Sequence, residues 1–246
     1  MSRYFYDLHI HSCASPCADN DMTPNNIAGM AALNGLGIAA ITDHNTCGNC
    51  KAFFAACKRY GVVPIAGMEL STSEDVHAVC LFPELEAALD FGELVKTKLP
   101  KIANRPEIFG DQHYLDEDDE IIGEEELLLI NATALSLDEA ADEVRSRGGV
   151  IYPAHIDREA NGIITMLGAI PPEPGFACAE LADMDSLENH RHYLEAVNIG
   201  CVLCNSDAHY LWDINGNEHS VEIDDEPYSS ALVRARFIEA VAKGNL

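Results

Sequence analysis

Short apolar runs alternate with amphipathic segments along most of the chain. Seven apolar runs have the length of buried strands, and they cover 4–10, 37–41, 62–66, 76–82, 150–152, 176–181 and 201–205. Helices are predicted between most of them, at about 24–34, 51–60, 136–147, 187–197 and 230–243, from Pro, Gly and capping-box signals at their ends. Strands that do not alternate in polarity and are separated by helices favour a parallel sheet covered on both faces. The pattern predicts a closed or nearly closed β/α barrel, with an open doubly wound sheet as the alternative.

The segment at about 105–130 departs from this alternation. It contains nine acidic residues between Asp111 and Glu126, and short apolar stretches flank its acidic centre. We predict a β-hairpin inserted into the barrel, and a solvated acidic loop is the alternative. No internal repeat or domain boundary interrupts the chain, so residues 1–246 are predicted to form one domain.

The charge balance narrows the classes of partner. Lys and Arg number 15 against 41 Asp and Glu, a formal net charge of -26. A surface this acidic repels polyanions, so stable nucleic-acid binding is disfavoured. No apolar run is long enough for a membrane helix and no signal peptide is visible, so we expect no membrane partner. Nine cysteines, an odd number in a chain of this size, favour a reducing compartment and predict a cytoplasmic location.

Polar clusters rich in histidine lie at the ends of several predicted strands. In Asp7-Leu8-His9-Ile10-His11 the two histidines project from the same face of a strand, with Asp7 placed to orient them. Further clusters contain His44, Glu69, His77, His155, and the pair Asp207 and His209. Barrels of this class carry their chemistry at the carboxyl ends of the strands, and so many buried imidazoles and carboxylates are costly unless paired or bound to metal. The clusters therefore predict a site for several ions of Zn, Mn or Fe, which accept these ligands.

Taken in order, DLHIHS, TDHN, GMELS, PAHID and SDAH resemble the motifs of the PHP (polymerase and histidinol phosphatase) superfamily over about residues 4–209. The resemblance implies a distorted seven-stranded (β/α)7 barrel, two to three divalent metal ions in a trinuclear site, and phosphoester hydrolysis. The metal ligands that it implies are His9, His11, Asp19, His44, Glu69, His77, His155, Asp207 and His209. The loop after His11 is longer than the family pattern, so Asp21 stays open as the alternative to Asp19.

The function implied is a hydrolase that acts on a small phosphorylated metabolite or nucleotide through a hydroxide bridging two metal ions. Asp207 is predicted to hold the proton of the nucleophile. Arg158 is predicted to clamp the phosphate because the chain is poor in cations and Arg suits bidentate phosphate contacts. The alternative activity is a nuclease on oligonucleotides, which the lack of basic patches disfavours. The sequence leaves the oligomeric state open.

A non-enzymatic alternative is a metal or redox sensor that uses the cysteines. Cys201 and Cys204 are predicted to point to opposite faces of a strand, which disfavours joint ligation. Four others, Cys13, Cys17, Cys47 and Cys50, fall in loops on the catalytic side and are predicted to be free thiols, with a separate cysteine site as the alternative. Glu180 and Asp183 are candidates for orienting the ligands. The remaining histidines, His113, His190, His192 and His219, are predicted to be structural or on the surface.

Overall fold

The computed structural model describes all 246 residues and is an α/β fold. Its strands are β1 (Ser2–Asp7), β2 (Ile38–Ile41), β3 (Val63–Ser71), β4 (His77–Phe82), β5 (His113–Leu115), β6 (Ile121–Glu124), β7 (Val150–Pro153), β8 (Cys178–Leu181), β9 (Cys201–Cys204) and β10 (Ser220–Ile223). Its helices are α1 (Pro24–Leu33), α2 (Cys50–Tyr60), α3 (Leu85–Lys98), α4 (Pro106–Phe109), α5 (Leu137–Ser146), α6 (Ile163–Leu167), α7 (Leu187–Ala196) and α8 (Ser230–Ala242). No helix combines the length and apolarity that a bilayer crossing requires.

Six strands form a curled half-barrel sheet in the order β10-β1-β2-β3-β4-β7. Strands β1, β2 and β3 are parallel, whereas β4 is antiparallel to both β3 and β7 and β10 is antiparallel to β1. The predicted parallel sheet is therefore wrong at these strands. A tight turn closed by Thr72 N–H and Val76 O joins β3 to β4. This connection is too short for the crossover that a parallel pair needs.

Strands β8 and β9 form a separate parallel pair that lies between β7 and the end of β1. One backbone hydrogen bond, from Ile156 N–H to Glu180 O at 2.8 Å, joins this pair to the end of β7. On the other side, a parallel bridge pairs Ile10 with Ala208 just beyond β1 and β9. These few contacts form a seam, and they bring the carboxyl ends of β1, β7, β8 and β9 together.

The predicted helix ends are present where the sequence signals are strong. The Thr23 hydroxyl accepts from Asn26 N–H at the start of α1, Ser136 and Glu139 form the capping box of α5, and Gly61 ends α2 with a left-handed backbone. Helix α3 and strand β10 are not among the elements predicted from the sequence. Helix α3 buries Ala88, Phe91 and Val95, a helical spacing that the sequence does contain.

In the acidic segment, β5 and β6 pair in antiparallel fashion. Their turn is built from carboxylates: Asp116 Oδ1 accepts from the amides of Asp118 and Glu120, and Asp119 accepts from the Thr23 hydroxyl at the start of α1. The side chain of Asn49 donates to His113 O and to the Ser12 hydroxyl. The segment is thus attached to the loops beside β1 and β2.

The residues of β2, β3 and β7 are buried on both faces, which explains the lack of alternation in these strands. In β2, Ala39 and Ile41 belong to a core shared with α1, α2, α3 and α5. Ile38 and Ala40 belong to a second core that includes Val233 and Phe237 of α8. Because the interior is apolar, the polar clusters at one end of the sheet are the chemically distinct part of the fold.

Candidate metal centre

Eight of the nine predicted ligands converge at one end of the sheet, where β1 and β3 end and the antiparallel β4 begins with His77. Their ligand atoms form three groups, within each of which all atoms lie within 4.8 Å of one another: His9, His11, Glu69 and Asp207; His11, His44 and His209; and His44, Glu69 and His77. The eighth, His155, reaches the same place through Glu69, with Nε2 at 3.0 Å from Oε1. We call these eight residues the mouth.

Glu69 is the centre of the mouth, and its side chain is only 1% exposed. Five imidazoles surround its carboxylate. Oε1 lies 2.8 Å from His77 Nδ1, 3.0 Å from His155 Nε2 and 3.4 Å from His9 Nε2, and Oε2 lies 3.0 Å from His44 Nδ1 and 3.4 Å from His11 Nε2. The two oxygens therefore face different imidazoles, an arrangement suited to bridging two cations.

Asp207 is the second carboxylate of the mouth. Its Oδ1 lies 3.0 Å from His11 Nε2 and 3.3 Å from His9 Nε2, and 3.8 Å from His209 Nδ1. Its Oδ2 forms an ion pair with Nη1 of Arg158, whose side chain is half-exposed. Arg158 thus stands at the edge of the mouth, beside a predicted ligand.

The two histidines after β1 are oriented by groups behind them. His9 Nδ1 lies 2.8 Å from Glu180 Oε1, and Asn205 Nδ2 donates to the other oxygen of Glu180. His11 Nδ1 lies 2.9 Å from the hydroxyl of Ser15. That hydroxyl in turn donates to Asp43. Hydrogen bonds of this kind fix the tautomer and ring orientation of imidazoles that bind metals.

Asp7 does not orient the imidazoles, contrary to the prediction. Its buried carboxylate instead accepts from the amides of Ser206 at 3.1 Å and Asn215 at 3.0 Å. It therefore positions the loop that carries Asp207 and His209. Strand alternation correctly predicted the face of the strand on which Asp7 lies. Nothing in the sequence indicated the loop amides from which its carboxylate accepts hydrogen bonds.

Asp19 is the one predicted ligand that lies outside the mouth. Its amide donates to His209 O at 3.0 Å, so its backbone lies beside the mouth. Its carboxylate, however, accepts from the amide of Asp21 at 2.8 Å. The alternative, Asp21, is exposed and also lies outside the groups.

The pKa values of the mouth follow from burial competing with opposite charge. Burial would raise the pKa of Glu69, but His77, His9 and His44 hold it well below its usual value. Burial opposes protonation of His11, yet hydrogen bonds to Asp207 and Glu69 raise its pKa to about 9. Burial lowers the pKa of His44 and of His209 to about 4 each. The carboxylates of Glu69 and Asp207 thus stay ionised. Protons on imidazoles such as that of His11 balance their negative charge, and bound cations could replace those protons.

Two nitrogens of the mouth indicate that metal ions fit it. His9 Nε2 and His44 Nδ1 are buried and have no hydrogen-bond partner, although carboxylate oxygens lie within 3.4 Å of each. Buried polar atoms without hydrogen-bond partners are rare, because each one costs free energy of folding. A bound metal ion would give these two nitrogens a partner. Neutral imidazole nitrogens facing carboxylates are the ligand set of Zn, Mn and Fe.

The backbone of the mouth is strained at two of its members. His155 has φ of +26° and Asp207 has φ of +49°, in the left-handed region that side chains disfavour. Such conformations cost about 1–3 kcal/mol each and concentrate at functional sites. The fold thus holds these two side chains in place against a local preference.

The mouth opens to solvent through a cavity of about 150 Å³. Arg158 and Asn161 form part of its wall, together with His44, Glu69, His77, His155, Asp207 and His209. The cavity exposes cationic and imidazole groups in a chain with a net charge of -26. The cavity wall thus combines one guanidinium and four imidazoles with the carboxylates of Glu69 and Asp207.

The cysteines lie outside these groups. Cys47 and Cys50 are buried, and both thiols point at the carbonyl oxygen of Gly67, at 3.2 and 3.6 Å. Cys17 is exposed, and Cys13 is buried close to His113 O. Cys201 lies opposite Cys178 of the neighbouring strand β8, and Cys204 is three positions further along β9.

Comparison with known proteins places the chain in a family. The sequence pattern of the PHP domain matches residues 7–145. A 5′-3′ exoribonuclease of Haemophilus influenzae is 31% identical over 101 residues, which cover 38% of this chain and 36% of that protein.

Two solved structures share the fold. The lesion-specific endonuclease PfuEndoQ from Pyrococcus furiosus has a TM-score of 0.65 and 20% identity, and the alignment covers 99% of this chain and 56% of that one. A protein of Bifidobacterium adolescentis classed as a metal-dependent phosphoesterase has a TM-score of 0.59 and 18% identity, with 96% of each chain covered. The chain thus spans about a third of the exoribonuclease and about half of the endonuclease. Because the family pattern covers more than half of its residues, including the first four polar clusters, the chain belongs to the PHP domain family.

Proposed function

We propose that the chain is a metal-dependent hydrolase of phosphoester bonds whose active site is the mouth. The observation that carries the proposal is the convergence of five imidazoles on Glu69, with buried nitrogens of His9 and His44 that lack partners. The family match and the likeness to a phosphoesterase fold support the same chemistry. In this reading β1–β4 and β7–β9 act as one distorted seven-stranded barrel around the site.

The mouth would hold two to three divalent ions of Zn, Mn or Fe through His9, His11, His44, Glu69, His77, His155, Asp207 and His209, with Asp19 as a further ligand. Bound ions would supply an activated water and neutralise charge on the phosphoryl group. Glu69 and the imidazoles around it would fix the positions of those ions. Glu180 and Ser15 would keep the rings of His9 and His11 in place.

Arg158 is proposed as the phosphate clamp. In the structure its guanidinium pairs with Asp207. If Asp207 held a cation instead, that guanidinium would be free to donate two hydrogen bonds to a phosphate in the cavity. Asp207 is proposed to hold the proton of the attacking water.

The substrate is proposed to be a small phosphorylated metabolite or nucleotide. Arg158 is the one Lys or Arg in the wall of the cavity, and over the whole chain 41 acidic residues outnumber 15 Lys and Arg. A compact phosphoester reaches the mouth without crossing the surface of this acidic chain, whereas a long strand lies along it. The nine free cysteines agree with a cytoplasmic setting for this reaction.

A nuclease activity is the second candidate. The observation in its favour is the identity of 31% with an exoribonuclease over 101 residues. Endonuclease Q, whose fold is similar, has been solved in complex with a 27-mer DNA duplex.

The test compares substrates by length at defined metal loading. We expect kcat/KM to fall from a nucleoside monophosphate to single-stranded oligomers of increasing length, and added salt to reduce the fall by screening repulsion. Efficiency that rises with length and weakens with salt would assign the chain as a nuclease. Absence of hydrolysis on every phosphoester, with two or more ions bound, would overturn the proposal.

A further inference from the structure

Two aromatic side chains follow the mouth directly in sequence. The rings of Tyr210 and Trp212 stack with their centroids 4.9 Å apart and their planes at 14°. Trp212 is 76% exposed and Tyr210 is 40% exposed. The pair is therefore a flat aromatic surface that no other part of the chain covers, and we call it the aromatic pair.

The loop that carries the aromatic pair is anchored on both sides. Leu211, which lies between the two aromatic residues in sequence, packs on the main core, and Ile214 is buried. Asn215 N–H donates to Asp7 at 3.0 Å, and Asn34 Nδ2 donates to Ile214 O at 2.9 Å. A surface held in this way loses little conformational freedom when a ligand stacks on it.

The aromatic pair lies within reach of the mouth. Trp212 follows His209 by three positions, a length of chain that spans at most about 11 Å. His209 in turn faces Asp207, with Nδ1 at 3.8 Å from Oδ1. The backbone positions of His209 and Trp212 are therefore no further apart than a small ligand can span.

The charge of the chain indicates which ligand the aromatic pair suits. With 15 Lys and Arg against 41 Asp and Glu, the protein has few cations for phosphates outside the mouth. A nucleobase is uncharged and has flat faces, and it stacks on aromatic rings without needing a basic surface. Stacking thus supplies affinity that the electrostatics of this surface cannot.

We propose that Tyr210 and Trp212 stack on the nucleobase of the substrate, so that the phosphoester cleaved in the mouth belongs to a nucleotide unit. This inference rests on the proposed function, because it assigns the substrate class of the same site. It selects the nucleotide over other phosphorylated metabolites. It applies equally to a free nucleotide and to the end of an oligonucleotide, which the length series distinguishes.

The first test uses the fact that Trp212 is the only tryptophan of the chain. The zinc-loaded protein is mixed with adenosine 5′-monophosphate or with ribose 5-phosphate, and tryptophan fluorescence is read by stopped flow before turnover. We expect saturable quenching by the nucleotide and none by the sugar phosphate. Equal responses to the two ligands would overturn the inference, since only one of them carries a base.

The second test is kinetic and uses the ratio of kcat/KM for the nucleotide to that for ribose 5-phosphate. Trp212→Ala should lower this ratio by about 5- to 150-fold, the range that corresponds to about 1–3 kcal/mol of stacking. Trp212→Phe, which keeps an aromatic face, should lower it less. Tyr228→Ala removes another exposed aromatic side chain, 61% exposed beside the start of α8, and should leave the ratio unchanged. An unchanged ratio in Trp212→Ala would contradict the inference.

The two tests separate this inference from the proposed function. Quenching by the nucleotide with no hydrolysis of any phosphoester would keep the aromatic pair as a base-binding surface and reject the hydrolase. Hydrolysis with neither quenching nor a change in the ratio would keep the hydrolase and reject the aromatic pair.

Discussion

Strand β3 serves two chemically different regions at residues only two positions apart. Glu69 enters the mouth, where five imidazoles surround its carboxylate. The carbonyl of Gly67 faces the buried thiols of Cys47 and Cys50. We call Gly67, Cys47, Cys50 and the neighbouring Cys80 the thiol region. Both regions contain residue types that bind metal, but only the mouth has them in a form that can.

The difference lies in protonation. The hydrogen bond to Cys50, burial and nearby acidic groups raise the pKa of the Cys47 thiol well above its usual value, and burial and Glu69 raise that of Cys80. A thiol binds metal as the thiolate, so these groups stay inert. In the mouth, ionised carboxylates face imidazoles whose protons a cation can replace. Residue type alone therefore does not define a metal site; the charge that the surroundings allow also decides.

The largest effect is expected from Glu69→Gln. The change keeps the shape of the side chain but removes the charge that faces five imidazoles, so metal content should fall below one ion per chain and kcat by about 1,000-fold or more. Elemental analysis and a phosphatase assay measure the two effects. Glu125→Gln, which alters another buried carboxylate paired with Lys96, is the matched control and should retain the metal. Full metal content in Glu69→Gln would mean that the mouth is not the metal site.

Removal of metal by a chelator should destabilise the mouth without affecting the thiol region. Ligand held at about 1,000 times its dissociation constant adds about 4 kcal/mol to the free energy of unfolding, which for a chain of this size is about 8–16 °C in Tm. Differential scanning calorimetry before and after chelation measures the shift, and re-addition of zinc should restore it. A Tm that does not respond to chelation would argue against bound ions in the native protein.

Metal uptake by the mouth should depend on pH. Because the pKa of His11 is raised to about 9, its imidazole carries a proton at neutral pH that a cation must displace. Apparent affinity should therefore rise with pH between 6 and 8, by up to about tenfold per unit for each proton released. Competition with a metal indicator, together with proton release into a weak buffer, gives both quantities. Affinity that is flat over this range would show that the imidazoles are neutral before metal arrives.

The smallest effect is expected in the thiol region. Replacement of both Cys47 and Cys50 by Ala should leave metal content unchanged and kcat/KM within about twofold, because both thiols point at the carbonyl of Gly67 and lie outside the ligand groups. The free energy of unfolding should fall by about 1–2 kcal/mol from lost packing. Joint loss of metal and turnover would instead make the thiols part of the centre and remove the contrast with the mouth.

The sequence predicted the mouth better than the fold around it. Spacing and strand ends placed His9, His11 and Glu69 together because these depend on local alternation and on the family pattern. The direction of β4 could not be read in the same way, since a turn of a few residues decides it. Glu180 was only a candidate, because its contact with His9 joins strands that lie 171 residues apart. The turn that occupies the carboxylate of Asp19 likewise has no signal in the sequence.

The seam between β1 and β9 has a consequence for how the protein is made. His9 and Asp207 meet across it, although they are 198 positions apart in the chain. Contacts of such long range form late in folding. During synthesis the ribosome must therefore release the segment through His209 before the centre can close. Any product that stops short of it has the first ligands but no complete site, so a full complement of metal is itself evidence that the chain extends through His209 and has folded.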